Sequence, residues 1–251
     1  MREHLLIANW KMNGDQKLIQ HWIPAVIKAA EISHTQFVVC PPAIYLPEVA
    51  ELAKNSRLYW GAQDVSNQGQ GAYTGQISAQ MLQEFGCKYV IVGHSERRQY
   101  NFETDELVAE KFAGAQARGL APVLCIGETL EQYKAGQTQE VVSNQLAAVL
   151  KHVGIQAFTT AVIAYEPVWA IGTGLAATPA QAEAVHAHIR NQLTAQDSTI
   201  AARVLLLYGG SVKPDNAVEL FAQPNIDGGL VGGASLDAET FVKISEGFLA
   251  K

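Results

Sequence analysis

Eight short apolar runs recur along the chain, at residues 5–8, 37–40, 58–61, 89–92, 122–126, 161–165, 204–208 and 229–231. Each has the length of a buried strand rather than of a helix. Between them apolar residues return at helical spacing. Leu18, Trp22, Val26 and Ala29 make one such face, and Ala182, Val185, Ile189 and Leu193 another. Strands that are apolar almost throughout, alternating with helices, predict a parallel sheet covered by helices. No run carries charges along its middle, so none reads as the edge of a sheet. Eight units in unbroken series therefore favour a closed (β/α)8 barrel over an open, doubly wound sheet. The 251 residues fit one such barrel as a single domain over 1–251, and a 48% hydrophobic content is ample for its core.

Charge and cysteine usage narrow the functional classes. A net charge of −6 with no basic run argues against nucleic acid and against an anionic membrane surface. No apolar run approaches the ~20 residues of a membrane span, and the first nine residues read as a strand, too short for the apolar region of a signal peptide. Cys40, Cys87 and Cys125 are odd in number, far apart and set in apolar runs, as expected of buried free thiols in a reducing compartment. A cytoplasmic protein is the expectation.

One connection stands out. The sixth run ends in Glu166, and Pro167 then stops the strand. Val168, Trp169, Ala170 and Ile171 follow, then Gly172, Thr173 and Gly174. Thr178, Pro179 and Gln181 have the pattern of a capped helix start. An apolar loop between proline and glycines, behind a carboxylate at a strand end, fits a lid over a base. It also fits an ordinary surface connection. A second long connection, 63–75, carries Tyr73 and Thr74 near its end. It suits either a loop that docks on another subunit or a mobile surface loop.

In a (β/α)8 barrel the chemistry gathers at the carboxyl ends of the strands. The first run ends in Asn9 and Lys11, which alternation sends the same way. The fourth ends in His94, followed by Glu96, and the sixth in Glu166. The seventh and eighth give way to Gly209-Gly210-Ser211 and Gly232-Gly233, where barrel phosphate sites commonly lie. The nucleotide-binding glycine patterns are missing, and neither the histidines nor the cysteines have the spacing of metal ligands. A base, a hydrogen-bond donor, a fixed positive charge and a phosphate cradle, without metal or cofactor, suit proton abstraction beside a carbonyl in a small phosphorylated compound. A lysine Schiff-base aldolase using Lys11, or a non-catalytic barrel, are the alternatives.

The stretches Asn9-Trp10-Lys11-Met12-Asn13, Gly93-His94-Ser95-Glu96-Arg97-Arg98, 164–174, Tyr208-Gly209-Gly210-Ser211-Val212 and 229–234 resemble, in order and end to end, the patterns of the triosephosphate isomerase family. The resemblance implies interconversion of dihydroxyacetone phosphate and D-glyceraldehyde 3-phosphate, in glycolysis and gluconeogenesis, without a cofactor. It implies Glu166 as base, His94 as neutral electrophile, Lys11 and Asn9 on the substrate oxygens, and Glu96 holding neighbouring polar groups such as Lys11. Gly172, Ser211, Gly232 and Gly233 are implied to bind the phosphate. Pro167 to Thr173 form the implied lid, latched by Tyr208 and Ser211. A homodimer is implied, docked through the loop with Tyr73 and Thr74.

Overall fold

The computed structural model describes residues 2–171 and 177–250. Eight strands form a closed barrel, each parallel to the next, with β8 returning to β1. They are β1 (His4–Asn9), β2 (Thr35–Cys40), β3 (Leu58–Ala62), β4 (Tyr89–Val92), β5 (Ala121–Ile126), β6 (Val162–Tyr165), β7 (Leu205–Tyr208) and β8 (Gly228–Val231). All eight apolar runs are strands, so the predicted architecture holds. Helices ring the barrel: α1 (Gln16–Ile32), α2 (Leu46–Ala53), α3 (Ala79–Glu84), α4 (Ser95–Tyr100), α5 (Asp105–Gln116), α6 (Leu130–Lys134), α7 (Thr138–Val153), α8 (Pro179–Thr194), α9 (Ser198–Ala201), α10 (Pro214–Phe221) and α11 (Ala238–Ser245). Three of them, α4, α6 and α9, have no counterpart in the periodicity of the sequence. At four to six residues they span too few turns to display it.

Strand alternation divides the core in two. Leu5, Ile7, Val38, Cys40, Ile91, Val123, Cys125, Val162, Ala164, Leu207 and Leu230 point inward and fill the barrel. The intervening residues, among them Leu6, Phe37, Val92, Leu124, Ile163, Tyr165, Leu206 and Tyr208, face the helices and form the larger outer core. All three cysteines are buried and free.

The filling stops at the carboxyl end for a reason written in the sequence. Two residues beyond the inward Ile91, Cys125, Leu207 and Leu230 stand Gly93, Gly127, Gly209 and Gly232. Two beyond Ile7 and Ala164 stand Asn9 and Glu166. On these six strands the next position is therefore glycine four times, with one amide and one carboxylate, and a cup opens there instead of more core.

Candidate active site

Glu166 occupies a slot that only glycine neighbours allow. The register pairs Tyr165 with Ile126 on one side and Tyr208 on the other. Two bonds extend those ladders by one step: Glu166 N–H to the Ile126 carbonyl at 2.8 Å and Gly209 N–H to the Tyr165 carbonyl at 2.7 Å. Gly127 and Gly209 thus flank Glu166. A Cβ on Gly127 would lie 1.8 Å from the Glu166 carbonyl oxygen, and one on Gly209 would lie 2.9 Å from its Cγ.

The Glu166 carboxylate is 2% exposed as a residue, so its charge needs partners. His94 Nε2 lies 2.9 Å from Oε1, and the Ser95 N–H donates to Oε2 at 2.9 Å. Burial pushes the carboxyl's pKa up. His94, the Ser95 N–H and the more distant Lys11 outweigh that and hold it below the usual carboxylate range.

His94 caps α4. Its Nδ1 accepts the Glu96 N–H at 3.2 Å, so that nitrogen carries no proton. The proton of a neutral ring then sits on Nε2 and is donated to Glu166. Burial works against an imidazolium, whereas the Glu166 carboxylate and Glu96, whose Oε2 lies 3.7 Å from Nδ1, work for it, with a net upward direction. Against the cation stands the backbone N–H aimed at Nδ1, together with the positive end of α4. Arg98 steadies the turn, its Nε donating to the Gly93 carbonyl at 2.8 Å.

Lys11 reaches the cup by a different route from the one alternation suggests. β1 ends at Asn9, and Lys11 has a left-handed backbone at φ 53°. Two bonds hold that conformation: Lys11 N–H to Asn9 Oδ1 at 3.0 Å, and Gln63 Nε2 to the Lys11 carbonyl at 2.8 Å. Its ammonium pairs with Glu96 Oε1. A Cβ on Gly232 would come within 3.3 Å of Lys11 Cε, so the glycine leaves room for the lysine stem.

These groups line one cavity of about 270 Å³, walled by Asn9, Lys11, His94, Glu166, Ile171, Ser211, Gly232 and Gly233. Asn13 and Lys213 also line it, and neither was singled out in the sequence. Glu96 is not in the wall; it sits behind Lys11 as the paired anion. The structure thus brings together Asn9, Lys11, His94, Glu166, Ser211, Gly232 and Gly233, while Gly172 and Thr173 lie outside the described residues.

The connection after β6 begins as a fixed turn. Val168–Ala170 is one turn of 3-10 helix, with Ala170 fully buried. Glu128 anchors it. Its carbonyl accepts the Val168 N–H at 3.1 Å, and its Oε1 accepts Trp169 Nε1 at 2.9 Å and the Tyr165 hydroxyl at 3.1 Å. Beyond the undescribed residues, the Tyr208 hydroxyl accepts the Ala177 N–H at 3.2 Å. The Thr178–Gln181 capping box forms as the sequence predicts, opening α8 at Pro179. Glu128 was passed over in the sequence. The signal was its place, two residues after the last strand residue of β5 and next to Gly127.

Comparison with known proteins came out consistently. The family model described as triosephosphate isomerase matches residues 4–248. A triosephosphate isomerase of Psychromonas ingrahamii is 54% identical over 248 residues, 98% of this chain and 99% of that protein. Another, of Vibrio sp. (strain ANT-300), is 52% identical with the same coverage. One of Stenotrophomonas maltophilia is 53% identical over 245 residues, 98% of each chain.

Proposed function

The chain belongs to the triosephosphate isomerase family and is an isomerase, and from that premise we propose that its glycine-walled cup interconverts dihydroxyacetone phosphate and D-glyceraldehyde 3-phosphate with Glu166 as the base. The observation that carries this reading is the approach of Glu166 Oε1 to His94 Nε2, 2.9 Å apart, inside a small cavity that also holds an ammonium group. The carboxylate takes the proton from the carbon beside the carbonyl. Electrons move into the carbonyl, and the oxygen becomes enediolate. His94 Nε2–H donates to that oxygen as charge develops, and Lys11 and Asn9 supply further attraction. The proton on the neighbouring hydroxyl oxygen passes to the former carbonyl oxygen by way of His94 Nε2, which gives its own proton to one oxygen and takes that of the other. Returning the carbon-bound proton from Glu166 to the neighbouring carbon then completes the isomerisation with no net change in atoms or electrons.

Glu166 is hydrogen-bonded to His94 and Ser95 in the structure described. A substrate carbonyl oxygen takes over the His94 donor, leaving the carboxylate to face carbon. Ser211, Gly232 and Gly233 form the phosphate end, where backbone N–H groups can approach an anion closely. The lid implied by the resemblance runs from Pro167 to Thr173, latched by Tyr208 and Ser211, and its Gly172 and Thr173 lie outside the described residues. Its closure keeps water from an enediolate that could otherwise expel its phosphate.

A homodimer in the cytoplasm completes the proposal. Among the described residues no helix is long and apolar enough to cross a membrane. Support for the dimer comes from an open groove lined by Met12, Ala43, Asn67, Gly75 and Asn101, among others. Met12 is 95% exposed, and Ile44 and Phe102, which adjoin the groove, are 79% and 82% exposed. Apolar side chains so grouped mark a surface for a partner, and Tyr73 and Thr74 of each copy would fill the other's groove.

The decisive test is Glu166→Gln, assayed with glyceraldehyde 3-phosphate and a coupled readout of the ketone. Turnover should drop by about 10²–10⁴-fold with an unchanged circular dichroism spectrum. A variant that keeps its turnover would remove Glu166 from the mechanism.

A further inference from the structure

Gln145 is a polar residue on the face of α7 that packs against the barrel. At helical spacing it lies between Val142 and Val149, both buried in the outer core. Its side-chain amide makes two bonds to a single residue at the mouth. Oε1 accepts the Gly127 N–H at 2.8 Å, and Nε2 donates to the Gly127 carbonyl at 3.2 Å. The Gly127 N–H belongs to the same peptide group as the Ile126 carbonyl, and that carbonyl accepts the Glu166 N–H at 2.8 Å. A trans peptide is a flat plate whose oxygen and hydrogen point in opposite directions. Gln145 therefore holds one edge of the plate, and Glu166 is bonded to the other. Nothing cushions the contact, since a Cβ on Gly127 would lie 1.8 Å from the Glu166 carbonyl oxygen. The two backbones touch, and a shift of one moves the other.

α7 does not depend on this amide for its place. Val142, Leu146 and Val149 are fully buried and hold the helix on the barrel. We propose that Gln145 is a positioning residue for the base: through the Ile126–Gly127 peptide it fixes the backbone from which the Glu166 carboxylate works. The clamp acts on backbone, so it holds whether the carboxylate is turned to His94 or to a substrate carbon. The proposal rests on the isomerase reading for the reaction that Glu166 performs, and on the hydrogen bonds alone for the clamp. Misplacing a reacting group by about 1 Å costs about a hundredfold in rate. Ser211, Gly232 and Gly233 follow other strands and stay in place. Loss of the clamp therefore shows in kcat and not in KM.

The test compares wild type with Gln145→Met and Gln145→Glu. Methionine keeps the length of the side chain and loses both bonds. Glutamate keeps an acceptor for the Gly127 N–H, the bond that holds the plate. With glyceraldehyde 3-phosphate, Gln145→Met should lower kcat by about 10- to 100-fold and leave KM within about threefold of wild type. Gln145→Glu should recover part of that loss. Hydrogen exchange of the Glu166 amide, followed by NMR without substrate, should speed up at least about tenfold in Gln145→Met, while that of Ile163 in the middle of β6 stays as it was. A lowered melting temperature with unchanged kcat would mean a merely structural role and overturn the proposal. So would a loss of kcat with unchanged exchange at Glu166, or a Gln145→Glu variant as slow as Gln145→Met. A wild-type protein that does not isomerise would instead sink the assigned reaction and leave the clamp readable in the exchange rates.

Discussion

His186 is a buried titratable group that the proposed chemistry does not use. It is fully buried, its Nδ1 is 3.1 Å from the Asn225 carbonyl, and its ring meets that of Tyr165 edge to face. Burial pushes its pKa down to about 4, and the Asn225 carbonyl and Asp227 only partly oppose that. Below the unfolded value of 6.5 the unfolded chain takes up a proton that the folded chain refuses. Stability is therefore complete above about pH 6.5 and falls with acidification until about pH 4, by up to about 1.4 kcal/mol per pH unit from this group. Urea midpoints across that range should slope less steeply in His186→Gln than in wild type; parallel slopes would mean that another group carries the acid sensitivity. Glu166 makes a different point at the same scale. A carboxylate at the end of an apolar run is plain in the sequence. The purpose of Gly127 and Gly209 is not, because it needs the register that sets them on either side of that carboxylate. Lys11 was legible as a residue of the cup, but the reason was wrong. Its left-handed backbone, pinned by Asn9 and Gln63, takes it there rather than strand alternation.

At the scale of elements, the eight strands and the longer helices could be read because burial imposes a period on sequence. The short helices α4, α6 and α9 could not, and one of them bears on function: α4 is capped by His94. They are fixed by capping side chains and by contacts made across the fold, and helices this short show no apolar period. The connection after β6 was legible as an apolar loop with a capped exit. Its anchoring to Glu128 was not, since β5 and β6 are brought side by side only by the closed sheet. The loop 63–75 carries the dimer proposal. Shortening it around Tyr73 and Thr74 should shift the protein to monomers in sedimentation analysis and lower activity per chain. A shortened chain that still sediments as a dimer with full activity would take the interface away from this loop.

Over the whole molecule, the net charge of −6 repels a phosphorylated substrate at long range, and attraction has to come from the mouth. Lys11 and Lys213 are the cations in its wall. Lys11 is paired with Glu96, whereas Lys213 is exposed on the rim. Within a screening distance of about 8 Å at physiological ionic strength, the rim charge acts on a substrate already near the opening. Lys213→Gln should therefore lower kcat/KM for glyceraldehyde 3-phosphate at low ionic strength, by a factor that shrinks as salt is added. A ratio to wild type that ignores salt would rule out steering by this lysine.

The plug of aliphatic side chains from Leu5 and Ile7 round to Leu207 and Leu230 makes the barrel a blind vessel. Reactant and product must use the same doorway, in turn, in both directions of the reaction. However fast a proton crosses between the two carbons, each molecule has to back out past Ile171 before the next can come in. Traffic at that one threshold sets the ceiling on turnover.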